Sequence, residues 1–153
     1  MQAEPVESIT TMEAAAQARW LDAMAIWFER PADALGCAYL LGYVVECSLK
    51  AALGRVKNVL PAADLRAAVI GPLPPQDRHD CNKLLGECLN SRNNSHTTLG
   101  AQRQSEWLLH VRAVADAHTT DYRYKSYSVS SEWLLGMYED VEWIVENIKE
   151  LWI

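Results

Sequence analysis

Tyr39, Tyr43, Glu46, Lys50 and Lys57 recur at intervals of four, three, four and seven along the run Ala34–Lys57. In a helix those intervals bring all five to one side. A carboxylate and an ammonium one turn apart, among residues that are otherwise apolar, require desolvation unless a polar groove runs beside them. Downstream stand His79 and then the segment Tyr122, Arg123, Tyr124, Lys125 and Tyr127. That segment offers cations for phosphate and aromatic rings for base stacking. Tyr43, Glu46, Lys50, His79, Arg123, Tyr124 and Lys125 are therefore the candidate ligand-binding set, and the ligand they suit is a nucleotide or a length of RNA.

These residues need helices to position them, and the chain reads as helical throughout. Residues 1–9 have the character of a loose tail, with 10–153 as one domain. Thr10 and Glu13 are spaced as a capping box. The helix that follows carries Trp20, Met24 and Trp27 on one stripe and ends near Arg30-Pro31. The second helix runs from about Asp33 to Asn58. It is apolar nearly all round, and Glu46 and Lys50 interrupt it before the ~20 apolar residues of a membrane span. Four prolines and a glycine make 59–78 a loop, with room for one short turn at 62–69. Asp80 can cap a short third helix with Cys81, Leu84, Leu85, Cys88 and Leu89 inward, and the polar run 91–100 reads as a connection. A fourth helix, 101–118, buries Trp107, Leu108, Val111, Val114 and Ala115. A last one, opened by Ser130 or Ser131, keeps a helical period from Trp133 or Leu134 through Met137, Val141, Ile144, Ile148 and Leu151. Glu139, Glu142, Glu146, Lys149 and Glu150 form its solvated face. The expected architecture is all-α: an antiparallel up-and-down helical bundle of four main helices plus one short helix.

A chain of 153 residues, half of them hydrophobic, can bury a core without disulfides or metals. Its net charge of -6 speaks against unspecific attraction to nucleic acid. That charge is unevenly spread: residues 55–125 hold ten Lys/Arg against seven Asp/Glu, between two acidic ends. Cysteines at 37, 47, 81 and 88 include no Cys-x-x-Cys and follow no secretory signal, so reduced thiols and a cytoplasmic setting are expected. Cys81, Cys88 and His79 make too sparse a ligand set for zinc. No metal, cofactor or membrane contact is expected. No P-loop, dinucleotide fingerprint, nucleophile elbow or metalloprotease helix occurs. Gly36, Gly42 and Gly54 fall within the second helix, where they allow close approach of a neighbour.

The run Ala38-Tyr39-Leu40-Leu41-Gly42-Tyr43-Val44-Val45-Glu46-Cys47-Ser48-Leu49-Lys50-Ala51-Ala52-Leu53 resembles the second helix of HEPN-domain proteins, written A-x-L-x-G-Y-x-x-E-x-x-L-K-A-L. His79-Asp80 with Leu84-Leu85 is similar to the family's H-D-L-x-x-L-L, with Cys81 in place of the first Leu. Arg123-Tyr124 is similar to the R-Y ahead of its last helix. The three matches come in family order and cover about residues 20–150. The resemblance implies an antiparallel bundle, usually a homodimer, that binds nucleotides or acts on RNA in toxin–antitoxin or defence systems, some members partnering a small nucleotidyltransferase. Members that are RNases cut without metal, using an Arg and a His near the dimer seam. Here Arg123 is followed by no His in the loop or the last helix. Arg103 and His110 share a face of the fourth helix about 10 Å apart, and are the alternative catalytic pair for a metal-independent endoribonuclease. The expectation is a binding protein with little or no RNase activity of its own. The alternatives are that enzyme, or an interaction module partnering a nucleotidyltransferase.

Overall fold

The computed structural model describes residues 7–95, 98–118 and 129–153. Among the described residues the regular structure is all helical. Five α-helices follow one another: α1 (Ile9–Glu29), α2 (Ala34–Val56), α3 (Cys81–Ser95), α4 (Ala101–Ala117) and α5 (Ser131–Asn147). Short turns of helix occupy Arg66–Ile70, Pro75–Asp77 and Ile148–Leu151.

Helix α2 is the centre, with α1, α3, α4 and α5 all packed against it. Its sequence leaves no alternative, because apolar side chains face every direction and each must be covered. Leu41, Leu49, Leu53, Val45 and Ala52 are completely buried. The helix is long and apolar enough to cross a membrane by length and composition, with 61% of that stretch buried inside the protein. Asp33 caps its start by accepting from the Gly36 amide at 3.2 Å. Its end is fixed by Asn58, whose φ of 56° turns the chain left-handed and lets the Val59 amide reach the Gly54 carbonyl. Gly54 itself has no room for more: a Cβ there would sit 2.4 Å from Leu65 Cδ2.

Helix α1 begins earlier than the Thr10–Glu13 spacing suggests. Ser8 is the cap, accepting from the Thr11 amide, and the Thr11 hydroxyl accepts from the Ser8 amide in return. Ser8 and Ile9 are buried, so the last two residues of the expected tail belong to the packed domain. The deepest line of α1 is Ile9, Ala16 and Ala23, a seven-residue repeat of mostly small side chains. Small residues bring the two backbones close, and the Cys37 thiol donates to the Ala23 carbonyl at 3.3 Å. Trp20, Met24 and Trp27 are only half-buried beside this line, with Trp20 and Trp27 against Tyr138 of α5.

Two further differences concern α3 and α4. The third helix is not short: it continues through Ser95, taking in half of the expected polar connection. Arg92 is buried there, with its Nη1 donating to the Ile153 carbonyl, so the helical extension has a tertiary contact that local polarity conceals. Leu108, expected inside, is half exposed, and Leu109 is more so. Trp107, Val111 and Val114 carry the α4 core contact. In α5 the inward positions are Leu134, Met137, Val141 and Ile144, with Ser130 as the cap.

Truncating a fully buried leucine of α2 removes contacts on all sides. Leu41→Ala or Leu49→Ala is expected to lower stability by about 2–5 kcal/mol, read from urea unfolding; an unchanged midpoint would contradict the central position of α2.

Candidate functional site

The α2 stripe leads from Tyr39 through Tyr43 and Glu46 to Lys50, and the structure gathers other elements at its middle. Glu46 and Lys50 are buried, at 4% and 5% exposure. One carboxylate oxygen, Glu46 Oε1, accepts from Lys50 Nζ at 2.8 Å and from His79 Nδ1 at 2.7 Å. A carboxylate oxygen accepts, so Nδ1 of His79 is the donor in this bond and Nε2 is the ring's other nitrogen. His79 is the exposed member, its side chain 72% accessible. The result is a buried charge pair whose one outward extension is an imidazole.

The approach of His79 to Glu46 depends on Arg78. Its Nε donates to the Leu73 carbonyl at 3.0 Å and its Nη2 to the Gly71 carbonyl at 2.6 Å, tying down the proline-rich loop ahead of it. Asp80 then starts α3, with its Oδ1 accepting from the amides of Asn82 and Lys83.

A cleft of about 440 Å³ opens beside His79, between the start of α3 and the end of α4. Gln76, His79, Asp80 and Asn82 line one side. Ala115, Asp116 and His118 line the other. His118 is set by Gly42: a Cβ at that glycine would lie 1.9 Å from His118 Nδ1, so the imidazole rests directly on the α2 backbone. Tyr39 and Tyr43 flank it, both with ring centroids 5.7 Å away, and they meet each other edge-on at 4.9 Å. Such edge contacts orient aromatic rings as well as bury them.

The structure therefore joins Glu46, Lys50 and His79 directly, and places Tyr43 against His118 on the other side of the cleft. Arg123, Tyr124 and Lys125 lie outside the described residues. Lys57 leaves the stripe to cap α2 and pair with Glu87 at 3.7 Å. His118, Arg78, Asp116 and Gln76 are the contributions that spacing does not reveal. A glycine on the stripe, Gly42, is the one sequence sign that something presses against α2 there.

Arg103 and His110 do share a face of α4, but it is turned toward α5 rather than to solvent. The Arg103 guanidinium donates to both Glu150 oxygens at 2.7 and 2.8 Å, to Glu106 at 2.6 Å and to Asn147 at 2.6 Å. Its hydrogen bonds to Glu150 and Glu106 hold it firmly in its charged form, its pKa raised. Both carboxylates are correspondingly lowered, in each case first by the Arg103 hydrogen bond. Glu150 is thus a bonding partner at the seam rather than part of a solvated face. His110 bonds to Asp140 at 2.7 Å and stacks on Trp143 at 4.1 Å, and Arg103 lies over the same indole at 4.7 Å. These two residues grip Trp143 and join α4 to α5.

The four thiols are free and buried. Burial, seconded by the Asp33 charge at Cys37 and the Glu46 charge at Cys47, pushes both up to about 11. Burial with the Glu46 and Asp80 charges pushes Cys81 up to about 12. Burial also raises Cys88, whose thiol donates to the Leu49 carbonyl at 3.6 Å. None is a nucleophile near neutral pH. No group of three or more metal-ligating side chains is found among the described residues.

Glu46→Gln should destabilise the protein by about 3–5 kcal/mol, because it strands the Lys50 ammonium in the interior. Glu46→Leu combined with Lys50→Met should recover most of that loss in urea unfolding. The thiols give a second expectation. Their folded pKa values lie above the ordinary 9.0, so their stability contribution is whole below pH 9 and declines from there upward as the unfolded chain sheds protons. Unfolding midpoints measured from pH 7 to 11 should fall above pH 9, with Cys81→Ala reducing the slope.

No family model, curated protein or solved structure matches this chain.

Proposed function

We propose that this chain is a HEPN-like protein, an antiparallel up-and-down helical bundle acting as a homodimer, that binds a nucleotide or a segment of RNA in the cleft beside His79. The observation that carries the reading is His79 itself, anchored through Nδ1 to a buried carboxylate and presented at the cleft mouth. Two imidazoles, the Gln76 and Asn82 amides and the Asp80 and Asp116 carboxylates give that cleft donors and acceptors for phosphate, ribose hydroxyls and base edges. Its volume is in the range of small-ligand sites. The described lining holds no Lys or Arg, so the cations for phosphate in this reading are Arg123 and Lys125, which with Tyr124 follow His118 within seven residues of sequence. Exposed Leu108 and Leu109 give a dimer apolar surface to bury.

Binding rather than cleavage fits the placement of Arg103, whose donors are committed to Glu150, Glu106 and Asn147. A cation that must stabilise a phosphorane needs donors aimed at the substrate. A toxin–antitoxin or defence role follows from the resemblance, and a cytoplasmic setting from the cysteine pattern; both belong to the same proposal.

The test is fluorescence anisotropy with labelled ATP, GTP and short single-stranded RNA. His79→Ala and Arg123→Ala are each expected to weaken the tightest ligand by about tenfold at low salt, a loss of ~1.4 kcal/mol. The Arg123 effect should shrink as salt rises. Equal affinity of wild type and both variants would remove the cleft from consideration. The same RNA incubated in EDTA should stay intact; cleavage abolished by His110→Ala would establish the endoribonuclease instead.

A further inference from the structure

A second feature lies away from the cleft, where α1 and α5 both pack on α2 but leave a trough between them. Its upper part is a hollow of about 280 Å³ with Ala16 and Trp20 on one side, Val145 on the other, and Val44 beneath. Its lower part is a hollow of about 250 Å³ between Met24, Trp27 and Phe28 of α1 and Leu135 and Tyr138 of α5. Trp20 and Tyr138, 5.2 Å apart, form the partition. Phe28 at 80% exposure, Leu135 at 45% and Val145 at 37% leave the lining open to solvent.

The chemistry of the rim selects among occupants. Helix α5 carries Glu132, Glu139, Asp140, Glu142 and Glu146 with no Lys or Arg. Asp140 is turned to His110, and Glu142 accepts from the Tyr138 hydroxyl at the trough wall. On the α1 side, Glu13 reaches the upper hollow and is already paired with Arg55, and Arg19 is paired with Asp22. Lys149, on the following turn, offsets one of the α5 charges. A second copy presenting this same face would set glutamates against glutamates, which opposes two-fold pairing here.

We propose that the α1–α5 trough docks an amphipathic helix of another protein, one with two large apolar side chains three turns apart and Lys or Arg along its flanks. The spacing comes from the hollows: their α1 linings, Glu13 to Trp20 and Met24 to Phe28, are centred about ten residues apart, as are Leu135 and Val145 of α5; that is about 15 Å along the axis, close to the separation of positions i and i+11 on a partner helix. The basic flanks answer the α5 glutamates. This site is independent of the His79 cleft, and failure of either leaves the other standing.

The experiment uses a fluorescein-labelled synthetic amphipathic peptide with leucines three turns apart and lysines on the flanks. A control peptide carries Glu in place of each Lys. Wild-type protein should bind the basic peptide saturably, weakening as salt rises, and should not bind the acidic one. Glu139→Lys with Glu146→Lys, Leu135→Ser and Val145→Ser should each lower affinity at least about fivefold while circular dichroism stays unchanged; these are solvent-reached positions. No saturation, equal binding of the acidic peptide, or wild-type affinity in all three variants would overturn the proposal. So would sedimentation showing a dimer that Leu135→Ser dissociates, since the trough would then belong to a second copy.

Discussion

A helix that is apolar in every direction has to be enclosed, and the need to enclose α2 organises this protein. Four other helices exist in the places they do because α2 has four sides to cover. Enclosure also creates an electrostatic problem in the core. Glu46 and Lys50 lie on α2 and are taken inside with it, and an isolated charge there would be prohibitively unfavourable. Each neutralises the other at 2.8 Å, and the remaining demand of the carboxylate is met by His79 from a distant part of the chain. The site is thus a by-product of covering the helix. The loop that brings His79 is held in place by the same buried carboxylate that would otherwise lack a second donor.

Much of this was legible from residue order alone. The limits of α2 follow from Asp33 and Asn58, and its burial from the run Leu35–Val45. The placing of Tyr43, Glu46 and Lys50 on one stripe is plain helical geometry. Local signals failed where a distant contact decided the outcome. The Thr10–Glu13 pair has good capping spacing, but Ser8 lies two residues earlier and gains the burial of Ile9 as well. The polar stretch 91–95 resembles a loop until Arg92 is seen to reach Ile153. Leu108 belongs by type in a core, while the α4 face that meets the rest of the protein is chosen by Trp107 and its neighbours one and two turns on.

The candidate site divides in the same way. His79 could be nominated from sequence, but not its partner, since nothing in the spacing of residues 46 and 79 encodes a contact. His118 illustrates the reverse: a histidine at a helix end attracts little notice, and only the absence of a side chain at Gly42 marks the room it needs. Arg103 and His110 show how a chemically suggestive pair can be structural. Their common face is real, and Trp143 with three acidic partners occupies it.

Arg78 carries a consequence for how fast a ligand could be captured. By fastening the carbonyls of Gly71 and Leu73 it removes most of the freedom of a segment rich in proline already. The imidazole next to it is therefore held in place by its own chain, and for a ligand bound as proposed this wall of the cleft needs no ordering. Little conformational entropy is then lost on association. Capture at such a prearranged wall is governed by diffusion and orientation, and discrimination between similar ligands falls to how long each one stays.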